Sequence, residues 1–120
     1  MKENILKYKS LTFTIRVVNL YKFLLDNKKE FALSKQILRS GTSVGAMIRE
    51  AEFSESNFDF IHKLAIAQKE INETIYWLEL LYATKYITKE QFESIYTDAL
   101  ELIKIITASI KTVKSKLNKN

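Results

Sequence analysis

The chain has one histidine, His62, three residues after Asp59. A carboxylate-x-x-His step is half of the arrangement by which a di-iron helical bundle holds its metals, but the full centre needs a second such pair and two more glutamates from facing helices. One histidine cannot furnish it within a chain, so only an intersubunit site would escape this count, and His62 reads as a helix-surface residue. Glu70 and Glu73 are the next candidates, as an acid and a base. Their spacing supplies neither the shared cleft nor the raised pKa that such chemistry requires, and pairing with Lys69, Arg39 or Arg49 is the simpler reading. Ser40 and Ser43 have no histidine in their segment to activate them. Cysteine is absent, which removes a thiolate nucleophile, a thiolate metal site and a disulfide framework. The expectation is a non-enzyme with no catalytic residue, metal, cofactor or small-molecule substrate.

The charged residues carry the clearer functional signal. Residues 1–49 hold ten lysines and arginines against three acids, residues 50–101 hold four against eleven, and residues 102–120 hold five against none. Lys7, Lys9, Arg16, Lys22, Lys28, Lys29 and Lys35 concentrate in the first third, and Lys111, Lys114, Lys116 and Lys119 in the tail. Tyr8 and Tyr21 are interleaved aromatics able to stack on bases. Repeated around an oligomer, these charges would sum to a surface for sequence-independent phosphate binding, with steep salt dependence. The alternative is that basic and acidic helices neighbour one another within one fold, leaving a solvated lysine-rich surface.

The elements that must position these residues are helices. A chain of 120 residues and 14.0 kDa, 47% hydrophobic and 28% charged, fits one globular domain. Lys7, Lys9 and Arg16 interrupt any apolar stretch that could serve as a signal-peptide core, and no run reaches the length of a bilayer span, so a cytoplasmic protein is expected. With no proline, two glycines and few β-branched runs, strand and hairpin signals are missing. Polar interruptions at 26–30, 52–57 and 84–88 leave helices at about 11–26, 30–52, 57–84 and 89–116. Short connections make antiparallel neighbours, so the fold class is all-α, an antiparallel up-and-down four-helix bundle. Thr88 with Gln91 forms a capping box, Ile87 and Phe92 a hydrophobic staple, and Ser56 with Asp59 a weaker start for the third helix. The first helix carries Phe13, Val17, Leu20 and Leu24, but also Leu11, Ile15, Val18 and Leu25, more apolar surface than one core contact needs. A homo-oligomer would cover the surplus. If the first helix began near Ser10 the last two would overhang it; alternatively, residues 3–9 extend it.

Both glycines, Gly41 and Gly45, fall inside the second helix, one turn apart on one face. Together they forgo about 2 kcal/mol of helix propensity relative to alanine. With Ser40, Ser43 and Ala46 they form a helix-packing segment, against which another helix can approach closely or a large group such as Trp77 or a tyrosine can lie. Arg39 and Glu50 bracket this segment as a candidate ion pair fixing helix register, unless both simply reach solvent.

The stretch LSKQILRSGTSVGAMIREAEFSES, followed by DFIHKLAIAQKEINETIYWLELL, resembles the four-helix-bundle family of proteins encoded by intervening sequences of bacterial 23S ribosomal RNA genes. The accessory variability proteins of diversity-generating retroelements are more distantly similar. The resemblance runs from KSLTFTIRVVNLYKFLL to ELIKIITASIKTVKSKL and is most specific at Arg39 to Ala46, at Glu50-Ala51 and at Glu73 to Leu78. Met47 stands where many relatives carry asparagine. The resemblance implies an antiparallel bundle assembling as a ring-like homopentamer. The retroelement relatives bind RNA and a reverse transcriptase through basic surfaces, which makes RNA or an RNA-associated protein the expected partner. The expected function is thus a homo-oligomeric helical scaffold contacting RNA, with a protein-only adaptor as the alternative.

Overall fold

The computed structural model describes residues 2–118, with side chains from Ile5 onward; Lys119 lies outside them. Four helices follow one another, α1 (Lys2–Lys28), α2 (Leu33–Glu52), α3 (Asn57–Ala83) and α4 (Lys89–Leu117). Each packs on the next and α4 closes against α1, giving an all-α antiparallel four-helix bundle of 54 × 22 × 21 Å. Phe13, Val17 and Leu24 of α1, Ile37 and Val44 of α2, Leu64, Ile71, Leu78 and Leu81 of α3, and Leu102 and Ile106 of α4 are fully buried at its centre. Burying each such side chain contributes about 1.5–3 kcal/mol.

The first helix starts well before residue 11. Leu6 and Ser10 are buried, continuing the inward line of Phe13 and Val17 by two turns and covering the overhang that a shorter helix would have left. Buried positions on α4 fall at Ile95, Ala99, Leu102, Ile106 and Ile110, alternating three and four apart as one helix face requires.

Helix ends are fixed locally. Thr88 Oγ1 accepts from the Gln91 N–H at 3.1 Å while Gln91 Oε1 accepts from the Thr88 N–H at 2.8 Å, and Ile87 is buried beneath them. Ser56 Oγ accepts from the Asp59 N–H at 3.0 Å. The third helix ends in a Schellman turn: Lys85 has a φ of 69°, the Tyr86 N–H reaches the Leu81 carbonyl at 2.9 Å and the Lys85 N–H reaches Tyr82 at 3.0 Å.

The start of α2 uses an unexpected device. Ala32, the residue preceding it, offers no side-chain cap. Instead the buried Glu30 carboxylate accepts from the N–H groups of Ala32, Leu33 and Ser34 at 3.2, 2.9 and 2.7 Å. Lys29, with a φ of 52°, turns the chain so that this carboxylate faces the orphan donors of the helix. Burial pushes the Glu30 pKa up, but the bonds from Leu33, Ser34 and Ala32 outweigh it and hold the group below the usual carboxylate range.

Candidate functional site

The small-residue segment of α2 faces two neighbours. Gly41 is buried against Val17 of α1, and a Cβ built on it would lie 2.6 Å from Val17 Cγ1. Gly45 is half-buried beside Thr14, whose hydroxyl bonds the Ser10 carbonyl at 2.8 Å. The notch is therefore filled by α1, not by Trp77 or a tyrosine. Ser40 is fully buried on the α3 side, where its hydroxyl is hydrogen-bonded to that of Thr74 at 2.8 Å. The sequence reading missed Thr74, and a mid-helix threonine flanked by Ile71 and Leu78 on the inward line was its available signal. Ser43 turns back on its own helix, bonding the Arg39 carbonyl at 2.8 Å. Ala46 does not pack inside the bundle: it is exposed, and with Gly45 it floors a groove of about 260 Å³ walled by Leu11 and Arg49. Met47 packs against the core.

Arg39 and Glu50 do not pair with each other. Arg39 reaches across to α3, bonding Glu73 and lying 3.6 Å from Glu70, while Glu50 accepts from Lys63 at 2.9 Å. The reason is helical geometry: eleven positions apart on one helix, the two side chains are too distant to meet, and each finds the opposite charge on α3. The bond from Arg39, with a second from Trp77 Nε1 at 3.1 Å, holds the Glu73 carboxyl below its ordinary range. A general acid needs the opposite shift. His62 is exposed, and no group of three or more His, Cys, Asp or Glu among the described residues could hold a metal ion.

The charge segregation resolves into contacts between helices. Lys9 meets Glu101 at 3.0 Å and Arg16 meets Asp98 at 2.7 Å, both across the α1–α4 seam, and Arg16 adds a bond to Ser94 Oγ at 2.8 Å. Lys7 lies 3.9 Å from Glu52 on α2. These side chains are partly exposed, and each pair contributes only about 0–1 kcal/mol to stability. Their larger consequence is that Lys9 and Arg16 are neutralised at mid-bundle. The remaining basic residues divide. Lys22, Lys28, Lys29 and Lys35 are exposed at the α1–α2 turn, whereas Lys7, Lys111, Lys114 and Lys116 are exposed toward the end where α1 begins and α4 ends. At 1.5 Å per residue, Lys7 and Lys28 are about 30 Å apart along α1. Of the ten basic residues named as candidates from the sequence, Lys9 and Arg16 are paired and the other eight form two separate clusters.

The outer face of α1 is apolar. Tyr8, Leu11 and Ile15 are 71%, 53% and 51% exposed, and Val18 and Leu25 are half-buried on the same line. Their spacing alternates three and four, with Lys22 in the same register, as on a helix that packs along a partner helix.

A helical bundle with this seam of small residues and these sequence features has recognisable relatives. The model of the 23S rRNA-intervening sequence protein family matches residues 2–108. The chain belongs to that family. A solved structure from Bacteroides thetaiotaomicron VPI-5482, described as a protein with unknown function from the S23 ribosomal protein family, is 62% identical with a TM-score of 0.91, covering 92% of this chain and 99% of that one. No curated protein matches the chain. Within the 23S rRNA-intervening sequence protein family this chain is thus an all-α four-helix bundle, and no helix among its described residues is long and apolar enough to cross a membrane.

Proposed function

We propose that this chain is a non-enzymatic scaffold that assembles into a homo-oligomer through the outward face of α1. The exposed line of Tyr8, Leu11 and Ile15 carries this reading. Large apolar side chains repeated along a solvent-facing helix are costly to leave wet and are covered by a symmetric partner. The groove floored by Gly45 and Ala46 beside Leu11 gives a second copy a place of close approach. A ring of five is the assembly that the family resemblance implies. Replacing Ile15 by lysine is expected to shift light-scattering mass from oligomer to monomer with helicity retained. A wild-type monomer at micromolar concentration would refute the assembly.

RNA contact is the role we assign to the cluster at the α1–α2 turn, Lys22, Lys28, Lys29 and Lys35, none of which is ion-paired among the described residues. Assembly multiplies this cluster once per copy, which favours structured RNA over a single short strand. Gel shift with ribosomal RNA at two salt concentrations is expected to show salt-sensitive binding, weakened by Lys28→Glu with Lys29→Glu. If the oligomer forms and RNA is not retained at low salt, the protein-only adaptor is the correct reading.

A further inference from the structure

Among the described residues, the bundle is not filled where α1 begins and α4 ends beside the α2–α3 connection. Ala51 of α2 and Ala108, Ser109 and Thr112 of α4 are too small to close the space between the helices. They leave a cavity of about 690 Å³, open to solvent. This lies within the range of about 300–1,000 Å³ typical of ligand sites. Its lining is largely apolar: Phe60, Ile105 and Val113 are half-buried and Ile5 exposed, above the buried Leu6, Ile48 and Leu64. The hydroxyls on the α4 wall are already committed, Ser109 to the Ile105 carbonyl at 2.9 Å and Thr112 to the Ala108 carbonyl at 3.0 Å. Water placed there would find few of the two to four polar partners that hold a buried water.

The mouth has the opposite character. Among the described residues, Lys7, Lys104 and Lys116 line it with one acid, Glu52, which lies 3.9 Å from Lys7. Lys104 and Lys116 take part in no ion pair among the described residues. An apolar depth under a cationic rim complements a molecule with one long hydrocarbon chain and one negative head. Lys104 and Lys116 are about 18 Å apart along α4 at 1.5 Å per residue, a distance comparable with an extended long acyl chain.

We propose that this cavity binds a single-chain anionic amphiphile of the long-chain fatty carboxylate class. The tail lies along Ile5, Phe60 and Val113, and the carboxylate is held by Lys104 or Lys116 at the rim. The site shares Lys7 and Ile48 with the groove beside Leu11 but includes none of Tyr8, Leu11 and Ile15, and it lies apart from the lysine cluster at the α1–α2 turn, so its test is independent of RNA binding.

Calorimetric titration of the full-length protein with palmitate, below its micellar concentration, is expected to show saturable binding that weakens with added salt. Ser109→Phe, which fills the cavity, is expected to lower palmitate affinity about tenfold or more while thermal melting remains cooperative. Lys104→Glu with Lys116→Glu is expected to weaken palmitate but not hexadecanol, which shares the tail and lacks the charge; this pair decides the matter should Ser109→Phe not fold. Absence of saturable palmitate binding would overturn the proposal, as would unchanged affinity in a folded Ser109→Phe protein. Equal affinity for palmitate and hexadecanol would overturn the assignment of the lysine rim.

Discussion

Val17 of α1 occupies the space that a side chain on Gly41 of α2 would need: a Cβ there would lie 2.6 Å from Val17 Cγ1 and 2.9 Å from Cγ2. At Gly45 the only comparably close atom is the Thr14 hydroxyl oxygen at 2.8 Å. The two glycines are therefore unequal. Gly41→Ala is expected to cost about 1–3 kcal/mol by overpacking, more than the roughly 1 kcal/mol that alanine returns in helix propensity. Gly45→Ala displaces the Thr14 hydroxyl from its bond to the Ser10 carbonyl, which offsets the roughly 1 kcal/mol gain in helix propensity, and is expected to be near neutral. Urea unfolding of the two variants checks this, and equal effects would contradict the packing described.

Glu30 links the stability of α2 to pH. Its pKa is lowered in the folded chain from an ordinary value of 4.5, so its contribution is fully present above that value and is lost as pH falls through the lower folded value. Glu30→Gln keeps one acceptor oxygen but removes the charge at the helix N-terminus, and is expected to cost about 0.3–1 kcal/mol at neutral pH. The gap to wild type should close in strongly acidic solution. Melting curves across that range test the sign, since a gap that widened on acidification would be the wrong one.

Thr88 tests the cap of α4. Thr88→Ala removes the acceptor for the Gln91 N–H and is expected to destabilise by about 1 kcal/mol. Thr88→Ser or Thr88→Asp, each keeping an acceptor, should restore most of the loss in chemical denaturation.

Lys85 holds the left-handed position that ends α3, where glycine is the usual residue. Lys85→Gly relieves the steric cost and is expected to raise stability by about 0.5–1 kcal/mol, less than the full cost of the conformation because glycine also loosens the unfolded chain. A lower melting temperature would mean that the lysine side chain makes a compensating contact.

The sequence and the folded chain agree where the interactions are short-range. Thr88 with Gln91 and Ser56 with Asp59 are legible because cap and partner lie three residues apart and need no other part of the molecule. The Glu30 cap is as close in sequence but was not legible. Glutamate is not a usual N-cap, and its carboxylate reaches the helix only after the left-handed turn at Lys29. The start of α1 was obscured in the same way: lysines around Leu6 hide an inward line that becomes buried only because α2 and α4 run past it.

The candidate surfaces divide likewise. An apolar surplus on α1 could be read from its two stripes, and the structure leaves Leu11 and Ile15 exposed. The basic segments could be counted, but Lys9 meets Glu101 across 92 residues of chain, so its neutralisation was invisible until α1 lay beside α4. What the amino-acid order determined by itself was the number of helices, their periodic faces and the caps at α3 and α4, because these follow from interactions within a turn or two. Which glycine is tight, which lysines are paired, and where the bundle stays open were decided only by tertiary structure, because each depends on side chains brought together from distant helices.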